Sequence, residues 1–520
     1  MIWIAFFFFV FVSCSHLSDS SKILMIPYSG EGSHYLSMAL VGESLVSNGH
    51  NVTFLVSDIF DLRASHPHYS NMFTFQVFPH HLGRDGFFER KKSQDDRLLS
   101  GDAVYHAIVA FEDIIKNFSM DCEDSIRDVA LRDRLVDAEF DFAVVDPTTP
   151  CGVIIAQMLY LPYGLFLPIA AVPNLSRFLS VPATPSYVSS WQSGYSDRMS
   201  LPERAVNALM DISWTFFFNV ALFSYHDALR PKYDVRNDVN TRLGMADSYF
   251  SLSFADLTLE YPKPFTPNVI GSAGLNLAKG KETMSQEWNI FVDTHGQRGM
   301  VIVSFGTLLH NIPEHVTIKL VDAFSQLPYT VVWQLSRETH VANLSCNIHR
   351  FEWLPLAGLL AQEKTVLFIS HAGINSMYEA IYYSKPVLTF PLFGDQPDTA
   401  RRAADRHMGE HLHLYRVKTH EIVDAIIQIT TDSSSKVNVK RVASMYRNQP
   451  DQAREILPFY IEQSIRSKSL LLQRCKGQTM GVIQYYLLDV ICCITFTTGL
   501  ALIMAKKMAS YAYECVFEIL

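Results

Sequence analysis

Short apolar runs that end at a glycine-bearing turn and lead into a helix recur in both halves of this 520-residue chain. Lys22 to Tyr28 (KILMIPY) is the first such run. The turn Ser29-Gly30-Glu31-Gly32-Ser33 follows, then a helical stretch from about His34 to Ser47, with Gly49 as a natural stop. Asn51 to Val56 (NVTFLV) comes next as a second strand. Strand, helix and strand in that order make a βαβ unit, which requires a parallel sheet. The pattern returns with FDFAVV ending at Asp146, a helix from roughly Cys151 to Leu161, and a strand from Gly164 to Ile169.

The second half repeats the arrangement. Met300 to Phe305 reads as a strand ending in Gly306-Thr307, and Thr330 to Leu335 as another. Val366 to Ser370 and Val387 to Phe390 add two more, separated by a His-Ala-Gly turn and a helix. Tyr261 to Lys281 is rich in Pro and Gly and marks a linker. Two doubly wound α/β domains joined this way face each other across a cleft at the carboxyl ends of their strands. A chain of this length suffices for two such cores.

The formal charge of -9 provides no basic footprint for nucleic acid. The 48% hydrophobic content is raised by two local runs. Ile2 to Val12, followed by Ser13-Cys14-Ser15, reads as a signal peptide, although it lacks a basic n-region. Leu487 to Ala505 fits a bilayer core of roughly 20 residues. Tyr485 and Tyr486 suit one interface, and Lys506 and Lys507 the cytosolic one. The main body is then expected on the luminal side. Asn51, Asn117, Asn174 and Asn343 begin glycosylation sequons, of which Asn51 opens a strand expected to be buried. The 8 Cys show neither a zinc pattern nor a disulfide framework, and leave room for one unassigned bridge. His80 and His81 lack companions at ligand spacing, so no metal site is read there. Ile212 to Tyr225 (ISWTFFFNVALFSY) reads as a core helix, or as a greasy helix at a pocket or bilayer, and is too short to span.

Polar residues cluster where strands end. His34 opens the first helix, where the positive helix terminus disfavours an imidazolium and favours the neutral, proton-accepting form. Asp146 ends a strand of the same sheet and could orient that imidazole as a general base. A surface His and a capping Asp before Pro147 would give the same letters. In the second half, His371, Gly373, Asn375 and Ser376 lie where helix amides favour an anion. Glu379 suits ribose hydroxyls, Trp353 a stacked base, and Asp395 and Gln396 sugar hydroxyls. Each alone is ordinary capping or core chemistry; together in one series they are much more specific.

The stretch from Trp353 to Gln396 resembles the signature of the UDP-glycosyltransferases, the family that includes the UDP-glucuronosyltransferases. The family's Trp-x-Pro-Gln, His-Gly-Gly, helix Glu and Asp-Gln correspond to Trp353-Leu354-Pro355-Leu356, His371-Ala372-Gly373, Glu379 and Asp395-Gln396. The likeness extends to SHYLSMA around His34, VVDPTTPCG around Asp146, SFGT at Ser304 to Thr307, and the membrane run. It implies a GT-B fold with an acceptor-binding N-terminal domain and a UDP-sugar-binding C-terminal domain. His34 would be the base and Asp146 its partner. Trp353 would stack on uracil and Glu379 hold the ribose. His371, Asn375 and Ser376, with Gly306 and Thr307 nearby, would hold the diphosphate, and Asp395 and Gln396 the sugar.

The reaction implied is an inverting transfer of glucuronic acid, or second glucose, to the hydroxyl of a small lipophilic acceptor. The UDP-sugar is a co-substrate, and no metal or other cofactor is required. Three positions depart from the family: Leu356 for Gln, Ala372 for Gly beside the phosphates, and Ser384 for Gly. A lost ligand hydrogen bond costs on the order of 1 kcal/mol. These departures motivate the rival reading, a catalytically silent nucleotide-sugar-binding membrane protein. Endoplasmic reticulum residence follows from the resemblance alone, and a homo-oligomer stays open. The expected organisation is a signal peptide at 1–15, an acceptor domain at 16–265, a linker at 266–284 and a donor domain at 285–450. Helices packing back at 451–484, a transmembrane helix at 485–505 and a cytosolic tail at 506–520 complete it.

Overall fold

The computed structural model describes residues 20–27, 32–98, 103–169, 177–179, 181–271, 284–306, 312–336, 339, 341, 344–448, 452–467 and 475–519. The signal peptide, Thr307 and most of the linker lie outside the described residues, as do the sequons at Asn174 and Asn343. Residues up to Gln473 form one compact unit, and Arg474–Leu520 a second.

The first unit holds two parallel sheets. The N-terminal sheet contains β1 (Lys22–Ile26), β2 (Asn51–Ser57), β3 (Thr74–Phe78), β4 (Phe142–Val145), β5 (Tyr163–Leu167), β6 (Ser251–Ser253) and β7 (Val269–Gly271). Their spatial order is β3-β2-β1-β4-β5-β6-β7. The second sheet contains β8 (Met300–Ser304), β9 (Thr330–Gln334), β10 (Ile348–Phe351), β11 (Thr365–Ser370), β12 (Val387–Thr389) and β13 (Gly409–His411). Its order is β10-β9-β8-β11-β12-β13. Helices cover both faces of each sheet, which is why the central strands read as unbroken apolar runs. Ile23, Leu24 and Met25 of β1, and Val301, Ile302 and Val303 of β8, are all fully buried.

Chain order reverses between β1 and β4 in one sheet and between β8 and β11 in the other. Such reversal points open crevices at the carboxyl edge, where ligands of this fold class bind. The helix Gln452–Ser467 lies against the first helix, Gly32–Ser47, with Leu457 and Ile461 buried and His50 Nε2 3.4 Å from Glu462.

Three expectations change. Ile212 to Tyr225 belongs to a longer helical run, Leu201–Tyr233, so it is not short. Phe218, Leu222 and Phe223 pack into the N-terminal core, while Leu209, Ile212 and Phe216 face outward. Asn51 is exposed at the mouth of its strand rather than buried. In the second unit, one helix runs from Leu488 to Ile519, through Lys506 and Lys507. Lysine is a good helix former, so the basic pair does not end it. Its stretch Leu488–Tyr513 is long and apolar enough to cross a membrane.

Candidate active site

The two reversal points carry the residues singled out in the sequence. Ile26 of β1 stands beside Val145 of β4, so the segments that leave these strands emerge side by side. One brings His34 in the first turn of the Gly32–Ser47 helix, and the other brings Asp146. His34 Nδ1 lies 2.6 Å from Asp146 Oδ2, a charge-assisted distance. The Asp146 side chain is fully buried, and that of His34 is 12% exposed. The Asp146 amide donates to the Ile26 carbonyl at 3.0 Å, and Asp146 Oδ1 accepts from the Thr148 amide at 2.9 Å. The carboxylate is therefore fixed from two sides. With Nδ1 committed to it, the basic position of the imidazole is Nε2.

Asp146 also lines a solvent-open cavity with about 650 Å³ of empty space, its open mouth included. Its walls are mostly apolar, with Phe60, Phe78, Phe87 and Phe118 prominent. A bridge between Cys122 and Cys151 ties two of its walling helices, Ala103–Arg127 and Cys151–Met158. The sequence left that pairing unassigned.

The second crevice is built on two serines. Ser304 ends β8 and stands beside Ser370, which ends β11. Ser304 Oγ donates to Gln334 Oε1 at 2.8 Å and accepts from the Gly306 amide at 3.3 Å. Ser370 Oγ accepts from the Ala372 amide at 3.1 Å. The two turns shaped this way enclose the His371 ring. A Cβ placed on Gly306 would come within 2.7 Å of His371 Cε1, and one on Gly373 within 2.5 Å of Nε2. Both glycines are thus needed for their missing side chain, and Gly306 also for its φ of +81°. Burial holds the His371 pKa down at about 4. The ring is therefore neutral near pH 7, and positive charge for an anion here must come from the helix terminus.

Gly373 caps the helix Ile374–Tyr382, whose first turn holds Asn375 and Ser376 and whose second holds Glu379. Asn375 Nδ2 donates to Ser37 Oγ, one turn beyond His34, at 3.1 Å. The bond joins the two domains and brings the start of Ile374–Tyr382 next to the helix that carries His34. Trp353 follows β10 with 62% of its surface exposed, leaving an indole face open instead of buried in the core. Gln396 is buried, and its Oε1 accepts from the amides of Leu392 and Phe393 at 2.9 and 3.1 Å. That leaves its amide N–H₂ end to donate elsewhere. Asp395 precedes it at the start of the helix Gln396–Asp405.

The departures acquire a structural meaning. Ala372 and Ser384 stand at φ of +68° and +56°, the left-handed region where glycine is unstrained. The Ala372 methyl is fully buried among core side chains. Leu356 begins a short helix and packs partly against the same core.

Sequence reading missed the lock between the domains. Asp398 accepts from the amides of Gln192 and Gly194 at 2.9 and 2.8 Å, and burial raises its pKa to about 6. Arg402 pairs with Glu260 at 2.9 Å, both buried, and Arg406 donates to the carbonyls of Thr258 and Glu260. All three of these residues sit on or just past one turn-rich helix of the donor half. The sequence also gave no companions to His80 and His81. The structure supplies Asp121 at 2.9 Å from His80 Nε2 and Asp124 at 2.6 Å from His81 Nδ1. Each carboxylate also faces a guanidinium, Arg90 and Arg127 respectively.

Comparison with known proteins agrees with this geometry. A family profile described as "UDP-glucoronosyl and UDP-glucosyl transferase" matches residues 21–519. The chain is 29% identical over 490 residues to UDP-glucuronosyltransferase 1A6 of Mus musculus, spanning 93% of this chain and 90% of that protein. It is 28% identical over 505 residues to UDP-glucuronosyltransferase 1A1 of Homo sapiens, spanning 96% and 91%. The fold is similar to that of the spinosyn forosaminyltransferase SpnP, with a TM-score of 0.57 at 14% identity over 85% of this chain and 99% of that one. The calicheamicin glycosyltransferase CalG4 gives 0.54 at 17% identity over 85% and 98%. Two facing Rossmann-like domains of GT-B type, with a family match over nearly the whole chain, place the protein: it belongs to the UDP-glucuronosyl and UDP-glucosyl transferase family and is a UDP-glycosyltransferase.

Proposed function

We propose that the chain transfers glucuronic acid, or failing that glucose, from its UDP conjugate to a hydroxyl of a small lipophilic acceptor. His34 is the general base and Asp146 its orienting partner. The observation that carries the reading is the 2.6 Å contact of His34 Nδ1 with buried Asp146 at the edge of an apolar cavity. An acceptor hydroxyl in that cavity loses its proton to Nε2 as its oxygen attacks the anomeric carbon. The attack comes from the face opposite UDP, so the configuration inverts. Asp146 stabilises the imidazolium that forms. The departing diphosphate charge meets the amides at the start of Ile374–Tyr382 and a neutral N–H of His371.

Trp353 stacks on uracil, Glu379 holds the ribose, and Asp395 with the Gln396 amide holds the sugar. Gly306, Thr307, Gly373, Asn375 and Ser376 frame the diphosphate. None of these roles calls on a metal. The buried Ala372 methyl weakens one motive for a silent binder, since it packs among core side chains. The apolar Leu488–Tyr513 stretch anchors the chain, with the catalytic body in the lumen of the endoplasmic reticulum. A bridge at Cys122–Cys151 suits that oxidising side.

The test is UDP release by membranes carrying the chain, comparing UDP-glucuronic acid with UDP-glucose over a panel of phenols and sterols. Acceptor-dependent release with UDP-glucuronic acid is expected. Release with neither donor, alongside measurable binding of a UDP-sugar, would overturn the transfer reading.

A further inference from the structure

The cavity beside Asp146 runs along the carboxyl edge of the first sheet. Its lining includes Pro27 just past β1, Ser57 at the end of β2, His80 two residues past β3, and Asp146 just past β4. These strands lie side by side in the order β3-β2-β1-β4. Three inter-strand spacings of about 4.8 Å put the His80 end roughly 14 Å from the Asp146 end. Between the two ends the walls are aromatic and aliphatic.

The His80 end is not apolar. Asp121 lines the cavity there, with an 18% exposed side chain. Its Oδ1 accepts from His80 Nε2 at 2.9 Å and from Arg90 at 3.0 Å, and its Oδ2 accepts from Arg90 at 2.8 Å. His80 Nδ1 in turn accepts from the Leu82 amide at 3.2 Å, which sets the tautomer with the proton on Nε2. The carboxylate is therefore held in place by two donors. Oδ2 receives only the Arg90 bond among the described residues, so it keeps capacity for one more donor. A divalent cation at this cluster would have to sit against two guanidiniums, Arg90 on Asp121 and Arg127 on Asp124. A neutral hydrogen-bond donor meets no such repulsion.

We infer that Asp121, positioned by Arg90 and His80, recognises a second hydroxyl on the acceptor, remote from the one that is glycosylated. The acceptor class is an elongated aromatic molecule of about two rings with a hydroxyl at each end. This deepens the transfer reading above and rests on it. Hydrogen bonds at both ends take up part of the roughly 14 Å and leave a length that two rings fill.

The test uses the full-length, membrane-bound chain with para-hydroxybiphenyl and its para,para′-dihydroxy analogue. In the wild type the dihydroxy compound has the higher kcat/KM, mainly through a lower KM. Asp121→Asn lowers the ratio of the two kcat/KM values by roughly tenfold, as loss of one charge-assisted hydrogen bond requires. An unchanged ratio overturns the proposal, whatever happens to the absolute rates. Equilibrium dialysis on His34→Ala chains, with and without Asp121→Asn, measures the same preference without turnover. Failure of transfer with this binding preference intact would defeat the transfer reading and leave the Asp121 assignment standing. Should Asp121→Asn fail to fold, Asp121→Glu keeps the Arg90 pair and extends the carboxylate into the cavity. It should shift preference toward a shorter, single-ring diol, and no shift overturns the proposal.

Discussion

At the scale of single residues, Ala372 and Ser384 hold side chains at left-handed backbone positions, where glycine would be unstrained. Ser384, at φ +56°, is half-buried; its amide donates to the Ile381 carbonyl at 2.9 Å, and its Oγ accepts only a long bond from Arg447 at 3.4 Å among the described residues. Replacing it with Gly relieves backbone strain of about 1 kcal/mol without losing packing. Ser384→Gly should therefore raise the unfolding temperature, measured by calorimetry, whereas Ala372→Gly gains less because it also removes a buried methyl. His371 permits a pH prediction. Its pKa in the folded chain is about 4 against an ordinary 6.5. A depressed value means its stabilising contribution is present above pH 6.5 and is lost as pH falls through about 4. The stability difference between the wild type and His371→Gln should shrink by on the order of 3 kcal/mol across that window. A difference independent of pH in denaturant titrations would contradict the burial argument.

At the scale of elements, the helix Gln396–Asp405 has two tasks. Its start carries Asp395 and Gln396, the residues proposed for the sugar, and its body locks the domains through Asp398 and Arg402. Arg402→Ala strands Glu260 in the interface with only Lys263 at 3.1 Å as counter-charge. The expected loss is about 3–5 kcal/mol, because an uncompensated buried charge remains. Thermal unfolding of that variant checks it, and a change below 1 kcal/mol, roughly the worth of an exposed pair, would show the lock to be solvated. None of this was legible beforehand: QPDTARRAAD reads as a polar, solvated helix, and only packing reveals that its charges are buried. Eight strands were legible, β1, β2, β4, β5, β8, β9, β11 and β12, each within about two residues of its expected limits, whereas β3, β6, β7, β10 and β13 were not. Unbroken Val, Ile, Leu and Phe runs of five residues fit little besides a sheet covered on both faces. The His80–Asp121 pair was not, because 41 residues separate its members and no local spacing encodes their contact. The bridge between Cys122 and Cys151 is hidden for the same reason, at a separation of 29.

At the scale of the whole molecule, the two sheets set their reversal points toward each other. One carries the His34–Asp146 pair and an apolar cavity, the other a neutral imidazole and a helix N-terminus. The Asn375–Ser37 bond shows that the two are adjacent, as direct transfer between two bound substrates requires. The two-domain pattern and a cleft at the carboxyl ends of the strands were readable from the βαβ grammar. What they could not give was which polar residues meet across the cleft, since that depends on how the domains dock. The central claim is that His34, held by Asp146, takes the acceptor proton. Its most direct test is single-turnover transfer by His34→Ala and Asp146→Asn chains, with binding of the UDP-sugar measured in parallel. The account predicts kcat lowered by roughly 10²–10⁴-fold in His34→Ala with donor affinity unchanged. Wild-type turnover by either variant would contradict it.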